Sequence, residues 1–234
     1  MDHMRADFQR RWVYDRYPHL KPAEAAMHRA FEARDNVIAR TDTLMKDRTL
    51  SPFGRQAALK AYIEKFVAPE MRKVQTAVDS LRARNAVRRE RVTAPPKFDK
   101  GDAAAAQLRG EIRTMLRGMK PGERATHLLN KNADEKVVLA ALEAPFLAGI
   151  DDEMRDKLVT LRASAMFPGE LKQIEVTDEA ADMVHAANRI ALMTLQRALD
   201  LPNESMAAEF VKAQTARIGG TLDANVEREI DAAA

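Results

Sequence analysis

The chain has no cysteine among its 234 residues. That excludes disulfides, thiolate metal sites and a cysteine nucleophile, and it fits a reducing compartment. Aromatic residues make up only 5% of the sequence, so a core must be built mainly from aliphatic and small side chains. No apolar run approaches the roughly 18 residues of a membrane span, and no membrane partner is expected. The opening MDHMRADFQRRW mixes charges where a signal peptide needs an apolar core, so a soluble, cytoplasmically made protein is expected. The histidines, at 3, 19, 28, 127 and 185, are too scattered for a metal pair on one helix turn. Walker-type loop, dinucleotide fingerprint and serine elbow are all missing. The expectation is a protein without catalytic residues, bound metal or organic cofactor.

What the chain does have favours helices. Alanine, leucine, methionine, arginine and glutamate are plentiful, and these lose little side-chain freedom in a helix. The only stretch that could extend is KQIEVTD, residues 172–178. The fold class expected is all-α: an N-terminal antiparallel helical hairpin with a long helix, a linker, then a C-terminal multi-helix bundle.

The hairpin comes from two apolar patterns. Pro22 marks a helix start, followed by Met27, Phe31, Ile38 and Met45 at spacings of 4 and 7. Ser51 is a cap and Pro52 suits a first helical position; Leu59, Ile63 and Phe66, then Met71, Val74, Val78, Leu81 and Asn85, form the second stripe. Pro69 predicts a kink or break near Ala68. Pro95 and Pro96 must end this helix. The expected divisions are an N-terminal arm and hairpin over 1–92, a linker over 93–101, and a bundle over 102–234. Within the bundle, Pro121 opens a helix, Pro145 closes one, and Asp151, Asp152 and Glu153 start another. Thr177 is expected as a cap, and Gly219-Gly220 as a helix end and hinge.

Two features invite partners. Residues 1–92 hold 20 Lys/Arg against 12 Asp/Glu, whereas residues 93–234 hold 18 against 23. Such a split fits an acidic partner for the basic part, or head-to-tail attraction between copies of the chain. The basic charge culminates in Arg82, Arg84, Arg88, Arg89 and Arg91, with Glu90 the only acid among them. These arginines complement the dipole of a helix C-terminus and are candidate contacts to an acidic partner. A nucleic-acid backbone is the alternative target, reached through 72–91, but no stacking aromatic is interleaved. Trp12, Tyr14 and Tyr17 cluster in a chain poor in aromatics; they are candidate docking residues, or else a local plug on the hairpin.

Two stretches carry a resemblance. LSPFGRQAALKAYIEKFVAPEMRKVQ is similar to a pattern in uncharacterised helical proteins of tailed bacteriophages and prophages, where a Leu-Thr/Ser-Pro-x-Gly-Arg turn opens a long helix. KVVLAALEAPFLAGIDDEMRDKL resembles a second phage pattern, with Ala144, Pro145, Phe146, Leu147, Gly149 and Ile150 matching its turn and Ile150 replacing the usual leucine. The resemblance implies a non-enzymatic structural protein of a phage particle, made in the bacterial cytoplasm and bound to capsid, neck or tail proteins or to copies of itself. The alternatives are an assembly or scaffolding factor that leaves the mature particle, and a nucleic-acid-binding helical protein. It assigns no functional residue.

Overall fold

Prolines at 22, 52, 121 and 168 preset the backbone angle of a first helical turn, and each stands in the opening turn of a helix. The computed structural model describes residues 3–94, 98, 101–130 and 132–233 and is all-α. In order run α1 (His3–Arg11), α2 (Lys21–Lys46), α3 (Pro52–Tyr62), α4 (Ala68–Thr93), α5 (Ala103–Gly118) and α6 (Pro121–Leu128). They are followed by α7 (Glu135–Glu143), α8 (Asp152–Met166), α9 (Pro168–Ala198), α10 (Glu204–Gln214) and α11 (Gly219–Ala233). A 3-10 turn (Pro18–Leu20) leads into α2, and a π turn (Ile63–Val67) joins α3 to α4. No helix among the described residues is long and apolar enough to cross a membrane.

The caps follow the sequence closely. Ser51 Oγ accepts the Gly54 N–H at 3.1 Å, Asp151 accepts that of Met154 at 2.8 Å, and Asn203 that of Met206 at 2.9 Å. The extended reading of KQIEVTD is corrected: residues 172–178 lie inside α9, and Thr177 is a buried mid-helix residue rather than a cap. Gly219-Gly220 opens α11 instead of closing α10, which ends at Gln214 with Thr215 beyond it. Pro95 and Pro96 lie outside the described residues.

Pro69 is accommodated without a break in the helix, through a specific device. Its missing N–H would break an α-helical ladder, and its ring would strike a carbonyl one turn back. Ahead of it the helix widens: the Ala68 N–H donates to Ile63 O, five residues back. That extra residue rotates the stripe, so Val67 is buried and Phe66, expected inside, stands in solvent beside Tyr62. On α2 the inward face also drifts from the strict sevenfold pattern. Val37 and Leu44 are buried while Ile38 and Met45 are exposed, because 3.6 residues per turn slips against a repeat of seven.

The chain divides into two compact units, residues 1–85 with 175–234, and residues 86–174. In the first, α2 and α3–α4 form the antiparallel hairpin. The start of α2 (Ala23, Met27, Phe31) shares a core with Val74, Val78 and Leu81, and its later part (Val37, Leu44) shares one with Leu59, Ile63 and Met71. Residues of α9 enter both cores: Val176, Ala180, Ala181, Val184 and Ala187 the first, Ala191, Leu192 and Leu195 the second. The expected single bundle over 102–234 is therefore not what the chain builds. Residues 175–234 belong with the hairpin, since its two stripes present more apolar surface than two helices can cover for each other. Both divisions fall within helices, α4 and α9.

The second unit has its own core of Leu116, Leu128, Val138, Ala141, Leu142, Ala148, Ile150 and Leu158. Arg109 and Arg113 of α5 both donate to Glu143 at the end of α7, tying those helices beside this core.

Truncating Phe31, which is fully buried, to alanine should cost about 3–5 kcal/mol. The same change at Phe53, 84% exposed, should stay within about 0.5 kcal/mol. Chemical denaturation followed by circular dichroism checks both; equal losses would refute this core.

Candidate protein-interaction site

The arginine cluster occupies the last turns of α4, and its acidic targets are in large part the chain's own. Arg82 donates to Asp182 of α9 at 2.8 Å, Arg84 to Asp231 of α11 at 2.6 Å, and Arg91 to Glu170 at the start of α9. Arg88 is half-buried and Arg89 exposed. The expected grip on an outside acidic partner is thereby narrowed, since three of its five members already face carboxylates. These pairs are wet, with side chains 45% and 72% exposed for Arg82 and Asp182, so each contributes well under about 1 kcal/mol.

A better-protected set of charges lies on the same helix and was not visible in the sequence. Arg72 reaches Asp223 of α11 with two guanidinium nitrogens, Nε at 2.9 Å, and Thr76 donates its hydroxyl to the same carboxylate. These hydrogen bonds, Arg72 first and Thr76 after it, hold the Asp223 carboxyl below the ordinary range, against the opposing effect of burial. Arg29 of α2 grips Glu229 through both terminal nitrogens at 3.0 and 3.1 Å. Val226 and Ile230 enter the core between these polar contacts.

The aromatic cluster is the plug, not the docking surface. Trp12 and Tyr14 are buried in the first core, their rings edge-to-face at 5.1 Å, and Tyr17 is half-buried against the same core. The Tyr14 hydroxyl donates to Glu179 at 3.0 Å. Burial first, then the hydrogen bond to that carboxylate, pushes its pKa up to about 12. Side chains held this way cannot dock elsewhere without opening the core.

The exposed aromatics are others. Phe146 is 82% exposed, and Leu147 beside it is exposed too, on the turn between α7 and α8. The turn is held firmly. Ile150 N–H donates to Pro145 O at 2.9 Å, and Gly149 has φ of +70°, a conformation few other residues adopt. Arg124 donates to Leu116 O at 2.7 Å and Met119 O at 2.9 Å, carbonyls at the end of α5, and also to Gly149 O. A Cβ on Gly149 would stand 2.8 Å from that guanidinium. Ala148 and Ile150 point inward while Phe146 and Leu147 point out. This turn is the segment with Ala144, Pro145, Phe146, Leu147, Gly149 and Ile150. Its sequence signals were the resemblance this segment carries and an aromatic directly after proline, which Phe53 after Pro52 repeats.

Among the described residues, no group of three or more His, Asp or Glu side chains could hold a metal ion.

Because Asp223 titrates lower in the folded chain than in the unfolded one, its contribution is present above the ordinary carboxylate range and is lost as pH falls through its folded value. Asp223→Asn should therefore cost about 1 kcal/mol near neutrality and progressively less on acidification. Urea melts of both chains across pH check this; a pH-independent difference would contradict it. Compared with protein-family models, curated proteins and solved structures, the chain matches none.

Proposed function

We propose that this chain is a non-enzymatic structural protein of a tailed-phage particle, acting through helical protein–protein contacts. The observation that carries the reading is the Pro145–Ile150 turn: a locked loop that projects Phe146 and Leu147 into solvent, within a stretch that resembles a phage pattern. An exposed aromatic costs solubility and gives this chain's own core nothing. On a rigid base it loses little entropy when a partner covers it, which is how aromatic anchors dominate an interface. Phe53, on the first turn of α3 in the other resembling stretch, is a second such anchor.

The nucleic-acid reading is weaker. Arg82, Arg84 and Arg91 are already engaged with carboxylates, so phosphate contacts would first have to displace them. The assembly-factor reading differs from the leading one only in whether the protein stays in the finished particle.

Phe146→Asp should leave the helical content and thermal midpoint of the isolated protein almost unchanged, because the ring touches little of its own chain. Loss of an anchor of about 2 kcal/mol should weaken binding to its partner about 30-fold. Quantitative mass spectrometry of purified particles would show stoichiometric copies of the wild type and few of the variant. Absence of the wild type from finished particles would refute the virion role; equal incorporation of the variant would refute the anchor.

A further inference from the structure

α11 joins the first compact unit in an unusual way. Of its residues only Gly219, Val226 and Ile230 are buried. The rest of its attachment is charge: Asp223 on Arg72 and Thr76, Glu229 on Arg29, and Asp231 on Arg84. Three acids on one short helix thus meet three arginines supplied by α2 and α4. The groove so formed has an apolar floor, with Leu20, Val74 and Val78 in the same core as Val226 and Ile230. It is specific for an acidic amphipathic helix with this spacing.

The connection to α10 is four residues, Thr215–Ile218, followed by Gly219 and Gly220. Gly219 is buried beside Arg72, whereas a Cβ on Gly220 would meet nothing within 4 Å. A helix with a small apolar share, a glycine pair at its root and a charge-coded seat has nearly the same contacts whether the seat belongs to its own chain or to another copy. The exchange conserves Arg29–Glu229, Arg72–Asp223 and Arg84–Asp231 and costs mainly the entropy of association.

We propose that α11 is an exchangeable segment: the groove between α2 and α4 accepts α11 of a second copy, linking chains through reciprocal helix exchange. The linkage does not depend on the particle role. It is tested on the purified full-length chain alone, so either idea can fail without the other.

Two complementary variants make the test. One carries Arg29→Glu and Arg84→Glu, which turns two groove positions acidic. The other carries Glu229→Arg and Asp231→Arg, which turns two positions of α11 basic. In each variant alone, like charges oppose seating of α11 within a chain and between identical chains. Mixed in equal amounts, each groove meets an α11 of opposite sign on the other variant. Light scattering after size exclusion should then show a species of twice the mass of one chain, absent from either variant alone and weakened by salt. Mixtures that stay monomeric, with both variants retaining helical circular dichroism, would overturn the proposal. Should either variant lose its helices, hydrogen exchange of the wild-type chain decides. Protection of residues 219–233 must rise with protein concentration, and concentration-independent protection would overturn the proposal equally.

Discussion

The core shared by α2, α4 and α9 governs the first compact unit, and alanine supplies much of it. Ala23, Ala26 and Ala30 on α2, Ala77 on α4, and Ala180, Ala181 and Ala187 on α9 are all closed to solvent within one core. A methyl group at the contact lets helix axes approach to the short end of the usual range. Enlarging any of these side chains forces its neighbours off their rotamers, at about 1–3 kcal/mol each. A chain with so few aromatics therefore fills much of its interior with small side chains, beside which Phe31, Trp12 and Tyr14 are the bulky residues of this core.

Local chemistry was legible in the sequence, and distant pairing was not. Ser51 with Pro52, Pro121, Pro145 and Asp151 marked helix boundaries correctly, because capping and proline geometry act within one turn. Residues 172–178 misled, since their β-branched side chains look extended until Val176 enters the first core and Ile174 is buried, and burial outweighs so small a propensity. The Phe66–Val67 inversion needed knowledge of the hydrogen-bond ladder, which spacing alone does not hold. The arginine cluster was legible, and so was the acidic surplus of residues 93–234 that supplies its targets, but not which acids meet which arginines. Arg82 lies 100 positions from Asp182 and Arg84 lies 147 from Asp231, so only topology brings them together. Pairs within one turn, such as Glu153 with Lys157, follow from spacing alone.

The uneven charge of the chain is resolved largely inside it. Arginine is suited to this work because its fork satisfies both oxygens of a carboxylate, as Arg29 does for Glu229. In the second unit one arginine does more, since Arg124 satisfies carbonyls at the end of α5 and the carbonyl of Gly149 together. The loop that carries Phe146 is thus fixed to carbonyls at the end of α5.

The widened turn over Ile63–Val67 also bears on how this helix can change over generations. Each residue of an α-helix turns the chain by about 100°, so losing one normally carries every later side chain to the wrong face. Here the turn already holds one residue more than a regular helix needs. Loss of a residue between Ile63 and Val67 would convert it to ordinary α-helix while Met71, Val74 and Val78 kept facing inward, provided Pro69 changed as well. The two lesions mask each other. A single-residue deletion, elsewhere among the most damaging events a helix can suffer, has a built-in point of absorption here once Pro69 is replaced too.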